Sequence, residues 1–333
     1  MRLEIKINDA ILHILDSTTG LPVYSQENLG LEDEKVQEFI GKHIERIFND
    51  QAVKSGKFVE DSAIKDLIRN INEDFIDTSI SIAEKLYELM LRYLEIPSGD
   101  LLMASLNIET HSYLIIIKFN YKEGYTHYVD YGDSGTSNKI VVNKVMFPSE
   151  TQKNIEAALI NLEDLSLKIF EREYDIEGEK TLYFSKMFLG CDTDLSIKES
   201  IKVIREVAKD ITKRYYDDDF NKVSEIKEAI YDNLDSGSIE VENVANAMFR
   251  NNPNIKKEYM ERVEEAGVNK VVDLEGKKPE KKLTVHKIKM DNGIQLDIPV
   301  DIYRDRNIIE FVNNPDGTIS IIIKNISKIK QGN

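Results

Sequence analysis

From Ile197 to Tyr215 an apolar residue returns at gaps of four and three in alternation: Ile197, Ile201, Ile204, Ala208, Ile211 and Tyr215. This follows the period of an α-helix and sets all six on one face, which has to be buried against the rest of the chain. Ser196 and Glu199 stand at capping-box spacing at its start. Just upstream runs Tyr183-Phe184-Ser185-Lys186-Met187-Phe188-Leu189-Gly190-Cys191. An apolar lead-in, a short acidic turn and a long amphipathic helix form the strongest core signal in the sequence.

The remaining segments alternate between helix and strand periods. Leu3, Ile5 and Ile7 alternate with polar residues, and Ala10 to Leu15 reads as a more buried strand. Helices are expected over Glu32–Asn49, Ile64–Ile71 and Ser79–Leu94, the last ended by Pro97-Ser98-Gly99-Asp100. Asp100–Ile108 and Ser112–Asn120 read as strands, the second with the central run Tyr113-Leu114-Ile115-Ile116-Ile117. Thr126–Asp130 is expected to pair with that run, Lys139–Met146 to be a strand, Thr151–Ala158 a short helix, and Leu165–Ile169 a strand. Further helices are expected around Phe220–Leu234, Val241–Met248 and Ile255–Ala266, then a polar linker from Lys270 to Lys282. Asn292-Gly293 and Asp316-Gly317 between apolar runs signal two closing hairpins. The expected fold is α+β: a mixed sheet with helices over residues 1–175, then a C-terminal domain over 176–333, helical at 183–267 and ending in an antiparallel β-meander at 283–324.

At 333 residues, 41% hydrophobic and 31% charged, the chain is globular and long enough for two cores. No apolar run approaches the ~18–20 residues that span a bilayer, and the alternating start Met1-Arg2-Leu3-Glu4-Ile5-Lys6 does not resemble a secretory signal. A single cysteine allows no internal disulfide and fits a reducing cytosol. A net charge of −16 excludes a generic polycation that coats nucleic acid. The charge is uneven: residues 277–333 hold 11 Lys+Arg against 7 Asp+Glu, a net +4, while residues 1–276 hold 33 against 53, a net −20.

Few residues suggest chemistry. Gly132-Asp133-Ser134-Gly135 invites a hydrolase reading, but nothing marks His111 or His127 as the base, and the Gly-x-Ser-x-Gly elbow is absent. His13 lies within an apolar run with no metal-ligand partner at suitable spacing, and reads as a core residue. Cys191 sits beside Asp192 and Asp194, whose charge would raise a thiol pKa, so it reads as structural. Asp217-Asp218-Asp219 do not share one face as a metal site requires. There is no Walker A, Gly-x-Gly-x-x-Gly, Cys-x-x-Cys or His-Glu-x-x-His sequence. The candidate nucleic-acid contact is the basic set Lys277, Lys278, Lys281, Lys282, His286, Lys287 and Lys289, with Arg304 and Arg306 beyond it. Such a segment neutralises phosphates without reading sequence. Asn246–Lys257 is spaced loosely like a helix-turn-helix, with acids on both sides.

Several stretches together carry a resemblance. They are Ala10-Ile11-Leu12-His13-Ile14-Leu15, Ile96-Pro97-Ser98-Gly99-Asp100-Leu101, Ile160-Asn161-Leu162-Glu163-Asp164-Leu165, Tyr183-Phe184-Ser185 with Phe188-Leu189-Gly190-Cys191, and Asn313-Asn314-Pro315-Asp316-Gly317-Thr318. In these the chain resembles, from end to end, the bacterial nucleoid-associated protein family of the NdpA type. The resemblance implies a cytosolic, nucleoid-bound protein with no catalytic residue in its signature, and a link to type II topoisomerases. The expectation is a non-enzymatic protein without cofactor or metal, meeting DNA through the basic set or through a DNA-bound partner such as a topoisomerase. A homo-oligomer is admitted as a partner and a membrane is not. The acidic body keeps two alternatives in view, a protein-interaction or DNA-mimic module and a metal-dependent nuclease.

Overall fold

A computed structural model describes residues 3–18, 21–132, 135–216, 220–275, 277 and 283–329. The chain divides into two compact units, residues 1–196 and 197–333.

The first unit runs β1 (Ile5–Leu15), α1 (Glu34–Asn49), β2 (Lys54–Phe58), α2 (Ala63–Arg69), α3 (Phe75–Arg92), β3 (Gly99–Ile108) and β4 (His111–Asn120). It continues through β5 (Lys122–Gly132), β6 (Gly135–Met146), β7 (Ile155–Asn161), β8 (Ser166–Phe170), β9 (Tyr174–Ile176) and β10 (Glu179–Thr181). A π-helix (Tyr183–Leu189) and β11 (Cys191–Thr193) complete it. Seven strands form one sheet in the order β1-β3-β4-β7-β8-β2-β11. Every ladder in it is antiparallel, so the expected mixed sheet resolves into a purely antiparallel one.

Both faces of this sheet are covered. α1 supplies Ile40, Ile44 and Ile47 to one face, against Leu102, Ile115, Ile117 and Leu159. α2, α3 and the π-helix cover the other through Ile64, Ile82, Leu86, Tyr183 and Phe184, against Leu101, Met103, Leu114 and Ile116. A strand buried on both faces needs apolar residues at successive positions, which accounts for the Leu114–Ile117 run. The π-helix ends at Gly190, whose φ of 62° is left-handed; a Cβ there would meet Ser62 at 3.2 Å.

Three expectations need correction. Thr126–Asp130 lies in β5 and pairs with β6, because both edges of β4 are already taken by β3 and β7. Residues 155–158 of the expected short helix begin the buried strand β7. Ala157 turns to one core and Ala158 to the other, so two-sided burial overrides the helical propensity of Glu156-Ala157-Ala158-Leu159. Tyr215 belongs to no buried face: it is 48% exposed, and its hydroxyl donates to Glu258 at 2.9 Å.

The second unit holds α4 (Ile197–Tyr215), α5 (Phe220–Asp232), β12 (Ser238–Glu240), α6 (Val241–Phe249), α7 (Pro253–Glu265) and β13 (Val271–Asp273). It closes with β14 (Val285–Lys289), β15 (Gln295–Pro299), α8 (Val300–Arg304), β16 (Ile309–Asn313) and β17 (Ile319–Ile323). β14–β15 and β16–β17 are antiparallel hairpins whose turns contain Gly293 and Gly317, both at positive φ. Ile201, Ile204, Ala208 and Ile211 are buried along α4. The architecture is α+β, ending in a β-meander.

Candidate nucleic-acid interface

The basic segment read from the sequence separates by position. Lys278, Lys281 and Lys282 lie outside the described residues. The side chain of Lys277 is only 6% exposed and pairs with Glu275 at 3.1 Å. On β14 the two-residue period parts the rest. Lys287 and Lys289 point to solvent, while His286 points inward and is buried. The His286 ring stacks on Tyr303 with centroids 4.0 Å apart. Burial, reinforced by the cations Lys227 and Arg304, lowers its pKa to about 4, so it is neutral near pH 7. Lys287 stands opposite Asp297 at 3.5 Å. Arg304 is held inside the unit: its Nε lies 3.1 Å from Glu228 and it also pairs with Asp232, which ties α8 to α5. Arg306 is exposed.

α4 supplies cations that the apolar spacing does not reveal. Lys198, Lys202, Arg205, Lys209 and Lys213 follow gaps of four, three, four and four, which sets them in one stripe beside the buried face. Lys202, Arg205, Lys209 and Lys213 are exposed. Glu199, Glu206 and Asp210 form a parallel acidic stripe; Lys202 reaches Glu206 at 3.9 Å, and Asp210 is held by Arg262 at 2.8 Å.

The two basic sets meet in a groove of about 400 Å³ lined by Arg205, Lys209, Lys227, His286 and Lys287, with Glu206 as its one carboxylate. Lys227 of α5 donates to the Val285 carbonyl, fixing α5 against β14. Burial lowers the Lys227 pKa, and the nearby cations Arg205 and Lys287 lower it further. Four cationic side chains thus line one concave surface, the kind of arrangement that contact with phosphate oxygens requires.

The other candidates carry less. Cys191 is buried on β11, its thiol directed at the Ser185 carbonyl at 3.4 Å, and burial with Glu171 and Asp192 pushes its pKa up to about 12. It is not an activated nucleophile. His13 is a core residue, and His111 pairs on the surface with Glu163. Asp133, Ser134 and Asp217 to Asp219 lie outside the described residues. Among the described residues no group of three His, Cys, Asp or Glu side chains is arranged to hold a metal ion. No helix of the described chain is long and apolar enough to cross a membrane. The pair α6–α7 has helix-turn-helix spacing, but two of its lysines are taken up by acids: Lys256 pairs with Glu242 at 2.8 Å and Lys257 with Glu261 at 3.6 Å.

Charge divides with the fold. Residues 1–196 hold 20 Lys+Arg against 35 Asp+Glu, a net −15, and residues 197–333 hold 24 against 25, a net −1. The basic stripe therefore sits in the unit that does not repel polyanions. The sequence model of the family described as nucleoid-associated protein YejK matches residues 11–330 of the chain. No curated protein matches it.

Proposed function

The chain belongs to the nucleoid-associated protein family, and from that premise we propose that it binds DNA directly through the basic stripe of α4 and the adjoining solvent face of β14. It acts as a binding protein on the nucleoid, in the cytoplasm, rather than as an enzyme. The observation that carries this reading is the run Lys198, Lys202, Arg205, Lys209 and Lys213, joined at its middle by Lys227 and Lys287 around one groove. The stripe extends ~22 Å along the helix, enough to follow a phosphate backbone. Contacts of this kind position a protein on DNA and specify no sequence.

Anisotropy titrations with two unrelated duplexes of equal length test it. Affinity is expected to be equal for the two and to fall with salt at a log–log slope of about −4, from four to five neutralised phosphates. The triple variant Lys202→Glu, Arg205→Glu, Lys209→Glu is expected to lose about a hundredfold in affinity at low salt, with a flatter slope. Charge reversal of Lys281, Lys282, Lys287 and Lys289 should weaken binding less. If that second set abolishes binding and the α4 set leaves it intact, the stripe is not the contact. The net −15 of residues 1–196 favours one second reading, in which an acidic surface engages the basic groove of a DNA enzyme such as a type II topoisomerase. In that case purified protein ignores DNA, and nuclease treatment does not release the partner.

A further inference from the structure

The groove of about 400 Å³ in the second unit gathers its charge from three elements: Arg205 and Lys209 of α4, Lys227 of α5 and Lys287 of β14. Against Glu206, its one carboxylate, they give the lining a net +3. Lys227 is committed to the Val285 carbonyl, and Lys287 stands opposite Asp297 at 3.5 Å. Arg205 and Lys209 are exposed and enter no ion pair among the described residues.

The uncharged lining is of a different kind. Ile226, Ile230, Leu283 and Ile288 are aliphatic, and only Ser224 and His286 are polar. The Ser224 hydroxyl is taken by the Tyr303 hydroxyl at 2.9 Å. His286 is 6% exposed, its ring stacked on Tyr303, and its Nε2 has no hydrogen-bond partner among the described residues. A buried polar atom without a partner is costly, and a ligand that completes it removes the cost. A concave site of about 300–1,000 Å³ with apolar walls and a few placed polar groups is the usual form of a small-molecule pocket.

We propose that this groove binds a nucleoside polyphosphate, with its phosphates on the four cations and its base against the aliphatic side chains, a polar edge at His286. Charge density selects this class among phosphates. A nucleoside triphosphate concentrates about three to four negative charges on one nucleoside, close to the opposite of the lining. A nucleic acid carries one charge per nucleotide, and in a duplex its bases are stacked away from apolar walls. The proposal rests on the DNA reading in one respect: Arg205 and Lys209 serve both ligands, so a bound nucleotide displaces the duplex from the middle of the α4 stripe.

Isothermal titration of the full chain with ATP, free of divalent metal and at physiological ionic strength, tests the site without DNA. One ATP per chain is expected, with a Kd on the order of 10–100 μM. Tripolyphosphate has the charge without the nucleoside and adenosine the reverse; each should bind at least ~10-fold more weakly. His286→Phe keeps a ring against Tyr303 and removes the ring nitrogens; ATP should bind about tenfold more weakly and tripolyphosphate unchanged. Arg205→Gln with Lys209→Gln, both exposed, should weaken ATP and tripolyphosphate alike. Lys202→Gln with Lys213→Gln, outside the groove, should leave ATP affinity unchanged while weakening DNA binding. In the anisotropy assay ATP should displace the duplex with an inhibition constant equal to its Kd. Absence of ATP binding up to about 1 mM, tripolyphosphate as tight as ATP, or an unaltered His286→Phe variant overturns the proposal; duplex binding that persists then leaves the DNA reading standing. ATP binding that is lost in Arg205→Gln, Lys209→Gln, in a chain that ignores DNA, upholds the site and removes the DNA reading instead.

Discussion

Glu156 is a heavily committed side chain at the centre of the first unit. Fully buried on β7, it accepts hydrogen bonds from Asn120 at 2.8 Å, from the Tyr174 hydroxyl at 2.5 Å and from the Tyr183 hydroxyl at 3.0 Å. Lys118 lies 4.0 Å away, its pKa lowered by burial to about 8 against the pull of Glu156. Tyr183 thereby ties the π-helix to the centre of the sheet, a structural reason for the Tyr at the head of that stretch. Glu156→Leu would strand a buried ammonium and three donors; the expected loss is ~3–5 kcal/mol, or a Tm lower by roughly 10 °C. Thermal unfolding checks this, and adding Lys118→Met should restore part of the loss. His13 gives a pH dependence. Its Nδ1 accepts from the Ser25 N–H at 3.2 Å, so the ring donates from Nε2 to the Ser79 hydroxyl at 3.0 Å, and Ser79 in turn donates to the Ile76 carbonyl. Protonation would need Nδ1 to donate where another donor already points. Burial accordingly lowers the pKa from 6.5 to about 4. The unfolded chain binds this proton first, so stability falls as pH drops from about 6.5 to 4, by up to ~1.4 kcal/mol per pH unit from this group. Urea titrations of wild type and His13→Gln at pH 7 and pH 5 should show a shallower pH dependence in the variant.

Among the elements, α4 makes the clearest separation of roles, with an apolar, a basic and an acidic stripe on one helix. Ile204→Ala, at a fully buried position, is expected to cost ~2–5 kcal/mol and leave DNA affinity intact once folding is allowed for. The charge reversals on the basic stripe should cost under ~0.5 kcal/mol of stability and act on binding instead. Urea unfolding beside anisotropy distinguishes the two. The apolar stripe was legible in the sequence because burial enforces a period. The basic one was equally regular, but summed charge hides it among Glu199, Glu206 and Asp210. The same contrast runs through the fold. α1, α3 and the Gly-containing hairpins announce themselves by local period and turn chemistry. β2 does not: Lys54-Ser55-Gly56-Lys57-Phe58 has no strand pattern and owes its place to pairing with β8 and β11. β7 reads as helix locally and becomes a strand only because β4 and β8 flank it. Likewise, the alternation on β14 already implied that His286 and Lys287 face opposite ways. That His286 meets Tyr303 depends on the α8 turn, which no local signal marks.

For the whole molecule, the division of charge sets how DNA can be approached. A net −15 on residues 1–196 repels a polyanion over the Debye length, ~8 Å at physiological salt and ~30 Å at ~0.01 M. At physiological salt the repulsion is screened and the α4 stripe acts locally. At low salt it is not, and it opposes the attraction that counterion release would otherwise strengthen. The log–log plot of affinity against salt is therefore expected to bend, falling below its linear extrapolation under about 0.05 M. Glu173, Asp175, Glu177 and Glu179 form one run of exposed acids in that unit. Converting all four to their amides keeps side-chain size and hydrogen bonding while removing four negative charges. The prediction is a straighter plot with higher affinity at ~0.01 M, and no change near physiological salt, where those charges are already screened. A wild-type plot that stays linear down to that concentration would mean the acidic unit is kept clear of the bound duplex. An amide variant with raised affinity at every salt concentration would mean instead that those acids lie within a few ångströms of the phosphates.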